Sequence, residues 1–198
     1  MEKIDYLVLL QGINVGGKNI VKMAELKKLF EEMKFTDVET YIQSGNVLFK
    51  DYKNDKLKLT RQIEKTLLNK FKNEIKVKVL TFSEIMDVLS EIPNDFGKEI
   101  NKFKYDILFL IEPLTVEKIV IEIKPIKGND KIYEGKETFY VKRNTEKLTG
   151  SYITQLLKIS PNITVRNLNT TKKLYELMLE RKKCIKIMMY ATTSYNKR

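Results

Sequence analysis

The order of hydrophobic patterns along the chain constrains its fold most strongly. Between Ile4 and Thr81 the patterns predict strand, helix, strand, strand, helix and strand. Buried strands read as apolar runs or period-two alternation, and amphipathic helices as apolar residues three and four positions apart. That order is the split βαβ unit of ferredoxin-like folds. It predicts an antiparallel sheet whose strands lie in the spatial order 4-1-3-2.

The same order returns after a polar stretch from Pro93 to Lys102. The second set of predicted elements is strand Tyr105–Ile111, helix Thr115–Ile123, a hairpin that turns at Gly135, a helix through Tyr152, Leu156 and Ile159, and strand Ile163–Val165. The residues themselves do not repeat. We therefore predict an α+β protein with duplicated ferredoxin-like (split βαβ) halves, antiparallel sheets and a C-terminal helix.

The predicted boundaries follow from these patterns. Residues 1–82 form the first half, 83–103 a helix and linker, 104–180 the second half with the C-terminal helix, and 181–198 a basic tail. Thr81 and Glu84 form a capping box that opens the linking helix. Asn169 or Thr170 is predicted to cap the final helix. Weak alternation after Cys184 predicts an edge strand or a frayed tail.

Composition excludes several classes of protein and of chemistry. The chain has 198 residues, 42% hydrophobic and 32% charged, and no apolar run of membrane-spanning length, which is typical of a soluble protein. The single cysteine, Cys184, excludes an intrachain disulfide and favours the cytoplasm. The chain has no histidine, so histidine metal sites and histidine acid–base chemistry are excluded. We expect no metal site and no membrane partner.

The net charge of +11 points to an acidic partner, but its distribution weakens that indication. Six cations and no acid follow Glu180, which leaves +5 for residues 1–180. Lysine and glutamate mostly interleave along the predicted helices, as they do on solvated helix faces. Nucleic-acid binding therefore stays open as an alternative but is not favoured.

A glycine-rich segment, Gln11-Gly12-Ile13-Asn14-Val15-Gly16-Gly17-Lys18-Asn19, joins the first strand to the first helix. We call it the Gly-rich loop. A glycine-rich turn that ends in lysine is one way to present N–H groups and a charge to an anion. Gly12, Gly17 and Lys18 also fit the P-loop spacing. Asn19, however, occupies the position of the Ser or Thr that binds magnesium, so a magnesium-nucleotide site is not favoured.

Three segments carry a resemblance to a known family. They are Leu9 to Asn19, Met23-Ala24-Glu25-Leu26, and Tyr41-Ile42-Gln43-Ser44-Gly45-Asn46-Val47. With Lys147-Leu148-Thr149 and Arg166-Asn167-Leu168-Asn169-Thr170, they resemble a widespread bacterial family of domains of unknown function. The resemblance covers about residues 4–180 and implies a cytoplasmic α+β protein with no established activity. The chain departs from the family at Gln11, Lys22 and Leu168, where arginine, proline and tryptophan are usual. The missing arginine weakens anion binding at the start of the loop.

Topology predicts where the Gly-rich loop and the Gln43–Asn46 turn lie. Strands 1 and 3 of a split βαβ unit are adjacent and antiparallel, so the end of one lies beside the start of the other. Both segments should meet at one edge of the first sheet. The candidate ligand-binding residues are Gln11, Asn14, Gly16, Gly17, Lys18, Gln43, Ser44 and Asn46, with Arg166 and Asn167 as additional candidates. A small polar or anionic ligand is the preferred partner, and the sequence names no cofactor and no catalytic residue.

Four other interpretations remain open at this stage. Asn14 and Asn46 often bond the backbone of their own turns, which would make the cluster turn chemistry only. Ser44 activated by Lys18 would be a nucleophile, but an exposed loop is a poor place to deprotonate lysine. RNA binding through the sheet would need aromatic residues such as Tyr6 and Phe49 on its open face. A protein-interaction role without a ligand is also compatible with the sequence, which does not indicate the oligomeric state.

Overall fold

A computed structural model describes residues 3–17, 19–52, 55–124, 130–145 and 151–195, with side chains described as far as residue 183. The first half contains β1 (Lys3–Leu10), α1 (Met23–Glu32), β2 (Thr36–Tyr41), β3 (Asn46–Tyr52), α2 (Lys56–Phe71) and β4 (Val77–Thr81). After the linking helix α3 (Phe82–Ser90), the second half contains β5 (Phe103–Leu110), α4 (Val116–Val120), β6 (Lys131–Glu134), β7 (Thr138–Asn144), α5 (Tyr152–Ile159) and β8 (Ile163–Asn167). The chain continues into helix α6 (Leu168–Tyr195).

Each half has one four-stranded antiparallel sheet, and the two sheets have the same topology. The strand orders are β2-β3-β1-β4 and β6-β7-β5-β8. In both sheets the first strand of the half lies between the third and the fourth, which is the order 4-1-3-2 of a split βαβ unit. The predicted α+β fold class, with two ferredoxin-like halves and a C-terminal helix, is therefore confirmed.

The first sheet is covered on both faces. One face packs against α1 and α2 through residues such as Tyr6, Val8 and Phe49. The other face, which includes Leu7 and Leu9, packs into a central core shared with the second half. Strands that are buried on both faces read as continuous apolar runs, which explains the segment Leu7–Leu10.

The burial of Tyr6 and Phe49 contradicts RNA binding through an open sheet. Their side chains are 1% and 0% exposed, and their rings stack at 5.6 Å between centroids. Phe49 also contacts the rings of Phe30 and Phe35 within the same core. Aromatic residues that stack on RNA must be accessible from solvent, and these rings are not.

The central core joins the two halves. Leu7, Leu9 and Leu48 of the first sheet cluster with Ile107, Phe109 and Tyr140 of the second sheet and with apolar residues of α3 and α6. A third cluster, which includes Leu108 and Phe139, lies under α4 and α5. The polar stretch 93–102 contributes to the central core as well, because Phe96 is buried and its ring contacts Tyr105 at 4.8 Å.

Helix α6 differs from the prediction for the C-terminal region. It begins at Leu168, and Asn167 Oδ1 accepts a hydrogen bond from Thr170 N at 2.7 Å, so Asn167 is the cap instead of Asn169 or Thr170. The backbone remains helical to Tyr195, so the predicted edge strand or frayed tail is wrong. The expected boundary at residue 180 falls inside this helix.

Arg181 fixes α6 to the first sheet. Its Nε donates to Asp5 Oδ1 at 2.7 Å, and its Nη2 donates to the backbone oxygen of Asp37 at 2.7 Å. The side chain of Arg181 is 14% exposed and that of Asp5 8%. The first residue of the predicted tail is therefore part of the packed structure.

Within the described ranges, no helix is both long enough and apolar enough to cross a bilayer.

Candidate functional site

The Gly-rich loop and the Gln43–Asn46 turn meet at one edge of the first sheet, as the topology predicted. Leu9 of β1 pairs with Asn46 of β3, and Leu10 N donates to Gly45 O at 2.8 Å. Asn14 Nδ2 then donates to Gln43 O at 2.8 Å across the two segments. The predicted convergence is confirmed by these contacts.

Asn14 organises the Gly-rich loop from within. It has a positive φ of 55°, a conformation that asparagine tolerates better than most residues. Its Nδ2 donates to Val21 O at 2.9 Å, and its Oδ1 accepts from Val21 N at 2.8 Å. Together with the bond to Gln43 O, these contacts hold the loop against both the start of α1 and the neighbouring turn. The side-chain amide is therefore occupied by backbone partners.

Asn46 is fully buried at the start of β3. Its Nδ2 donates to Tyr41 O at 3.0 Å and to Ser44 Oγ at 2.9 Å. Its Oδ1 accepts from Arg166 Nε at 2.5 Å. Ser44 Oγ lies inside this network, and Lys18, the base that would activate it, lies outside the described residues. The described contacts support a stabilised turn.

Gly45 leaves no room for a side chain between Ser44 and Asn46. Its φ is 70°, and an added Cβ would lie 2.7 Å from Ile13 Cδ1 and 2.8 Å from Leu10 Cβ. Glycine is required here both by backbone conformation and by close approach.

Strand β8 of the second half contacts this edge of the first sheet. Gln11 Nε2 donates to the backbone oxygens of Pro161 and Ile163, the latter at 3.1 Å. Thr164 Oγ1 donates to Leu10 O at 3.2 Å. The end of β1 is therefore docked on the start of β8, and Gln11 serves the contact between the halves.

Arg166 lies at the centre of the contact between β8 and the edge of the first sheet, which we call the junction. Its Nη2 donates to Leu10 O at 2.9 Å, to Ser44 O at 2.8 Å and to Gly45 O at 3.1 Å. Its Nη1 donates to Thr164 Oγ1 at 3.0 Å. These partners are neutral oxygens, and no ion pair with Arg166 is present in the described part of the chain. Loss of hydration lowers the pKa of Arg166 to about 10.

The remaining candidates are Gln43, Asn167, Gly16, Gly17 and Lys18. Gln43 is exposed, and its backbone oxygen accepts from Asn14. Asn167 is exposed and caps α6. Gly16 and Gly17 have positive φ values of 58° and 74° and are exposed, with open space where a side chain would be. Lys18 lies outside the described residues.

Apolar side chains project from the rim of this edge. Val15 is 67% exposed, Ile20 is 73% exposed, and Ile42 of the adjacent turn is 47% exposed. The structure therefore turns the polar side chains Asn14 and Asn46 inward and leaves glycine backbone and apolar groups at the surface.

Sequence reasoning did not identify Thr164 or the backbone of Pro161 as parts of this junction. Neither carries a local signal, because each acts only through the way the second half packs on the first. Arg166 was found through the resemblance, but its acceptors in the first half lie 120 to 156 residues earlier in the chain, and no spacing rule predicts them.

Comparisons with known proteins agree with the fold. A family profile described as "Protein of unknown function (DUF1697)" matches residues 4–140. The solved structure of conserved bacterial protein SP0830 from Streptococcus pneumoniae is 27% identical with a TM-score of 0.76, over 89% of this chain and 99% of that chain. No curated protein matches the chain. The profile ends before Arg166, which the wider resemblance had included, whereas the structural similarity covers most of both chains.

Proposed function

The chain belongs to the family described as protein of unknown function (DUF1697), which brings no activity with it, and we propose that it binds a small anionic ligand at the Gly-rich loop. The donors are backbone N–H groups of Gly16 and Gly17, with the charge of Lys18. This narrows the initial hypothesis, in which Gln11, Asn14, Gln43, Ser44 and Asn46 were ligand-binding residues alongside Gly16, Gly17 and Lys18. The side chains of Gln11, Asn14 and Asn46 serve to hold the loop in place.

One observation carries the proposal: Gly16 and Gly17 are consecutive exposed residues with positive φ. None of the backbone hydrogen bonds between described residues uses the N–H group of either glycine. Successive N–H groups in turn and left-handed conformations form concave sites that accept an anion. The open space around both residues leaves room for a phosphate or carboxylate.

The charge of the surrounding chain favours an anion. From Tyr6 to Ala24 the sequence has two cations, Lys18 and Lys22, and no Asp or Glu. The turn from Tyr41 to Asn46 is uncharged. A bound anion would therefore meet no repulsion from carboxylates in either of the two segments.

The rigidity of the base of the loop also supports the proposal. Asn14 fixes the loop to Val21 and Gln43, and Arg166 fixes the adjoining turn. Donors that are held in place before binding lose less entropy when the ligand arrives. The buried network thus has a role in binding without touching the ligand.

Inorganic phosphate is the probe for the first test, followed by amide chemical shifts in NMR spectra. We expect saturable shifts at Gly16 and Gly17. Two variants form a matched pair: Gly17→Asn and Gly17→Asp have similar shapes and both residue types tolerate positive φ. Gly17→Asn should retain phosphate binding and Gly17→Asp should lose it. Equal behaviour of the two variants would reject the site.

A second pair tests the contribution of Lys18. Lys18→Ala should weaken phosphate binding, whereas Lys28→Ala on the exposed face of α1 should leave it unchanged. If instead short RNA binds in a salt-sensitive manner that Lys18→Ala does not alter, the basic surface and C-terminal region are the anion-binding element, which is the alternative left open by the net charge.

Contact with a partner protein is a second candidate function, and the exposed apolar rim favours it. Val15, Ile20 and Ile42 are exposed, and they belong to two segments that the bond from Asn14 to Gln43 joins. Ile20→Asp should abolish capture of a protein partner while phosphate shifts at Gly16 and Gly17 persist. Loss of the phosphate shifts with no effect on partner capture would assign the rim to the small-ligand site.

A further inference from the structure

A cavity lies away from the Gly-rich loop, between α3 and the β6–β7 hairpin of the second half. Its volume is about 120 Å³. Ligand pockets for drug-sized molecules span about 300–1,000 Å³, so this cavity suits a much smaller molecule. Leu80, Val88 and Phe109 supply its apolar wall.

The lining of this cavity has an excess of negative charge. Four carboxylates and two lysines line it, Glu84, Asp87, Glu91, Glu137, Lys78 and Lys136. Lys78 offsets only Glu137 of this set, because its buried ammonium pairs with Glu137 at 3.0 Å and with Glu112 at 3.1 Å. Glu84 pairs with Lys56. The carboxylates without a lysine partner in the described structure are therefore Asp87 and Glu91.

The position of these two carboxylates is unusual for a helix. Asp87 lies in the last turn of α3 and Glu91 is its C-cap, while the last turn has no basic residue. The C-terminal end of a helix carries a partial negative charge that favours cations. Like charges four residues apart on a helix also repel each other. A cation between Asp87 and Glu91 would relieve both effects.

An independent observation comes from Thr138 at the base of the cavity. Its side chain lines the cavity, the residue is 1% exposed, and Oγ1 has no hydrogen-bond partner in the described structure. The hydroxyl of Tyr140 is near enough for Thr138 to influence its pKa, but the two do not form a hydrogen bond, and Tyr140 donates to Val88 O at 2.6 Å. Buried hydroxyls nearly always have a partner. The orphaned hydroxyl indicates a polar atom that a ligand would supply.

Gly135 keeps the space beside this hydroxyl free. A Cβ at Gly135 would lie 2.7 Å from Thr138 Oγ1 and 2.9 Å from Glu91 Oε2. The absence of a side chain therefore leaves Thr138 Oγ1 uncovered at the hairpin turn, whereas Glu91 Oε2 accepts a hydrogen bond from Lys136 N at 2.9 Å.

We propose that this cavity binds a small organic ammonium ion that also carries a hydroxyl or another polar group. The ammonium lies between Asp87 and Glu91, the short carbon chain packs on Leu80 and Val88, and the polar group bonds Thr138 Oγ1. The site is separate from the anion site at the Gly-rich loop and has the opposite charge preference.

Ethanolamine is the probe that tests this proposal, with ethylene glycol and glycolate as neutral and anionic controls of similar size. Titrations are followed by NMR shifts of Val88 and Thr138 methyl groups at constant ionic strength. We expect a saturable response to ethanolamine and none to the two controls. No response to ethanolamine, or an equal response to ethylene glycol, overturns the proposal.

Two variants separate binding from folding. Thr138→Val keeps the shape of the side chain and removes only an unpaired hydroxyl, so the melting temperature should not fall while ethanolamine binding is lost. Asp87→Asn, at an exposed position, should weaken binding by about threefold or more. Glu32→Gln, on α1 of the first half, is the control for the change in net charge and should bind as the wild type does. Unchanged affinity in both Thr138→Val and Asp87→Asn rejects the site.

Discussion

Arg166 Nε donates to Asn46 Oδ1 at 2.5 Å, and this bond joins the last strand of the second half to the turn before β3 in the first half. Both side chains are buried, with exposures of 5% and 0%. Removal of a buried donor leaves its acceptors without solvent to replace it. Substitution of Arg166 or Asn46 should therefore lower the stability of the fold.

Arg166→Met should destabilise the protein strongly. Leu10 O and Gly45 O retain other donors, but Asn46 Oδ1 and Ser44 O lose theirs. Each unsatisfied buried acceptor costs about 1–3 kcal/mol, partly offset because a charge is no longer buried. We expect the free energy of unfolding in urea to fall by about 3 kcal/mol. The control Arg61→Met, at an exposed position of α2, should change it by less than about 0.5 kcal/mol; similar losses for the two would contradict the role of the junction.

Gly45→Ala should cost more than the same change at Gly16. Both residues have positive φ, so both substitutions strain the backbone by about 1–2 kcal/mol. Only at Gly45 would the new Cβ also collide, at 2.7 Å from Ile13 Cδ1, whereas the space at Gly16 is open. We expect an additional loss of about 1–3 kcal/mol for Gly45→Ala, measured by thermal or urea unfolding. Equal losses would show that the turn yields to admit a side chain.

Truncation of α6 should distinguish Arg181 from the residues after it. A chain that ends at Glu180 lacks the bonds from Arg181 to Asp5 and Asp37, and it leaves the Asp5 carboxylate largely buried without its partner. We expect that chain to be about 1–3 kcal/mol less stable than a chain that ends at Lys183. The sequence interpretation of residues 181–198 as a dispensable tail predicts no difference between the two.

Tyr140 should ionise later than an ordinary tyrosine. Burial raises its pKa from 10.0 to about 12. A raised pKa means that the unfolded chain releases this proton first, so the stability contributed by Tyr140 is complete below pH 10 and declines as the pH rises toward 12. Absorbance at the tyrosinate band should show a late-titrating group that is absent from Tyr140→Phe. Loss of absorbance change near the ordinary tyrosine pKa of 10.0 instead would show that the hydroxyl is open to solvent.

The architecture of each half was predictable because local patterns and topology agree. Apolar runs such as Leu7–Leu10 and helical spacing from Leu59 to Leu67 identify the elements, and the split βαβ order then fixes the neighbours of each strand. The convergence of the Gly-rich loop and the Gln43–Asn46 turn followed from that order alone. No knowledge of the second half was needed.

The hydrogen-bond partners at the contact between the two halves could not be predicted from the sequence, and the reason is physical. Whether Asn14 and Asn46 face a ligand or their own backbone depends on which groups β8 brings to the same place. The sequence describes each half but not the surface on which the halves meet. Arg166 therefore reads as a lone cation in the sequence, although six hydrogen bonds surround it in the structure.

The C-terminal region shows a different limit of secondary-structure prediction from the sequence. Ile185, Ile187 and Met189 alternate as a strand would, but Ile185 and Met189 are also four residues apart, as on a helix face. Short apolar runs fit both periods. The continuity with the strong helical pattern of Leu174, Leu177 and Met178 decided the outcome.

The central core is shared by the two halves and couples their unfolding. Leu7, Leu9 and Leu48 contact the second half, while Val8 and Phe49 on the opposite face belong to the first half's own core. Loss of either half would expose one whole face of the remaining sheet to water. We therefore expect the chain to melt in one cooperative transition, in which neither half persists as a stable fragment. Leu7 and Leu9 of β1 share the central core with residues of both halves, so a substitution at either position would require compensation in both halves at once.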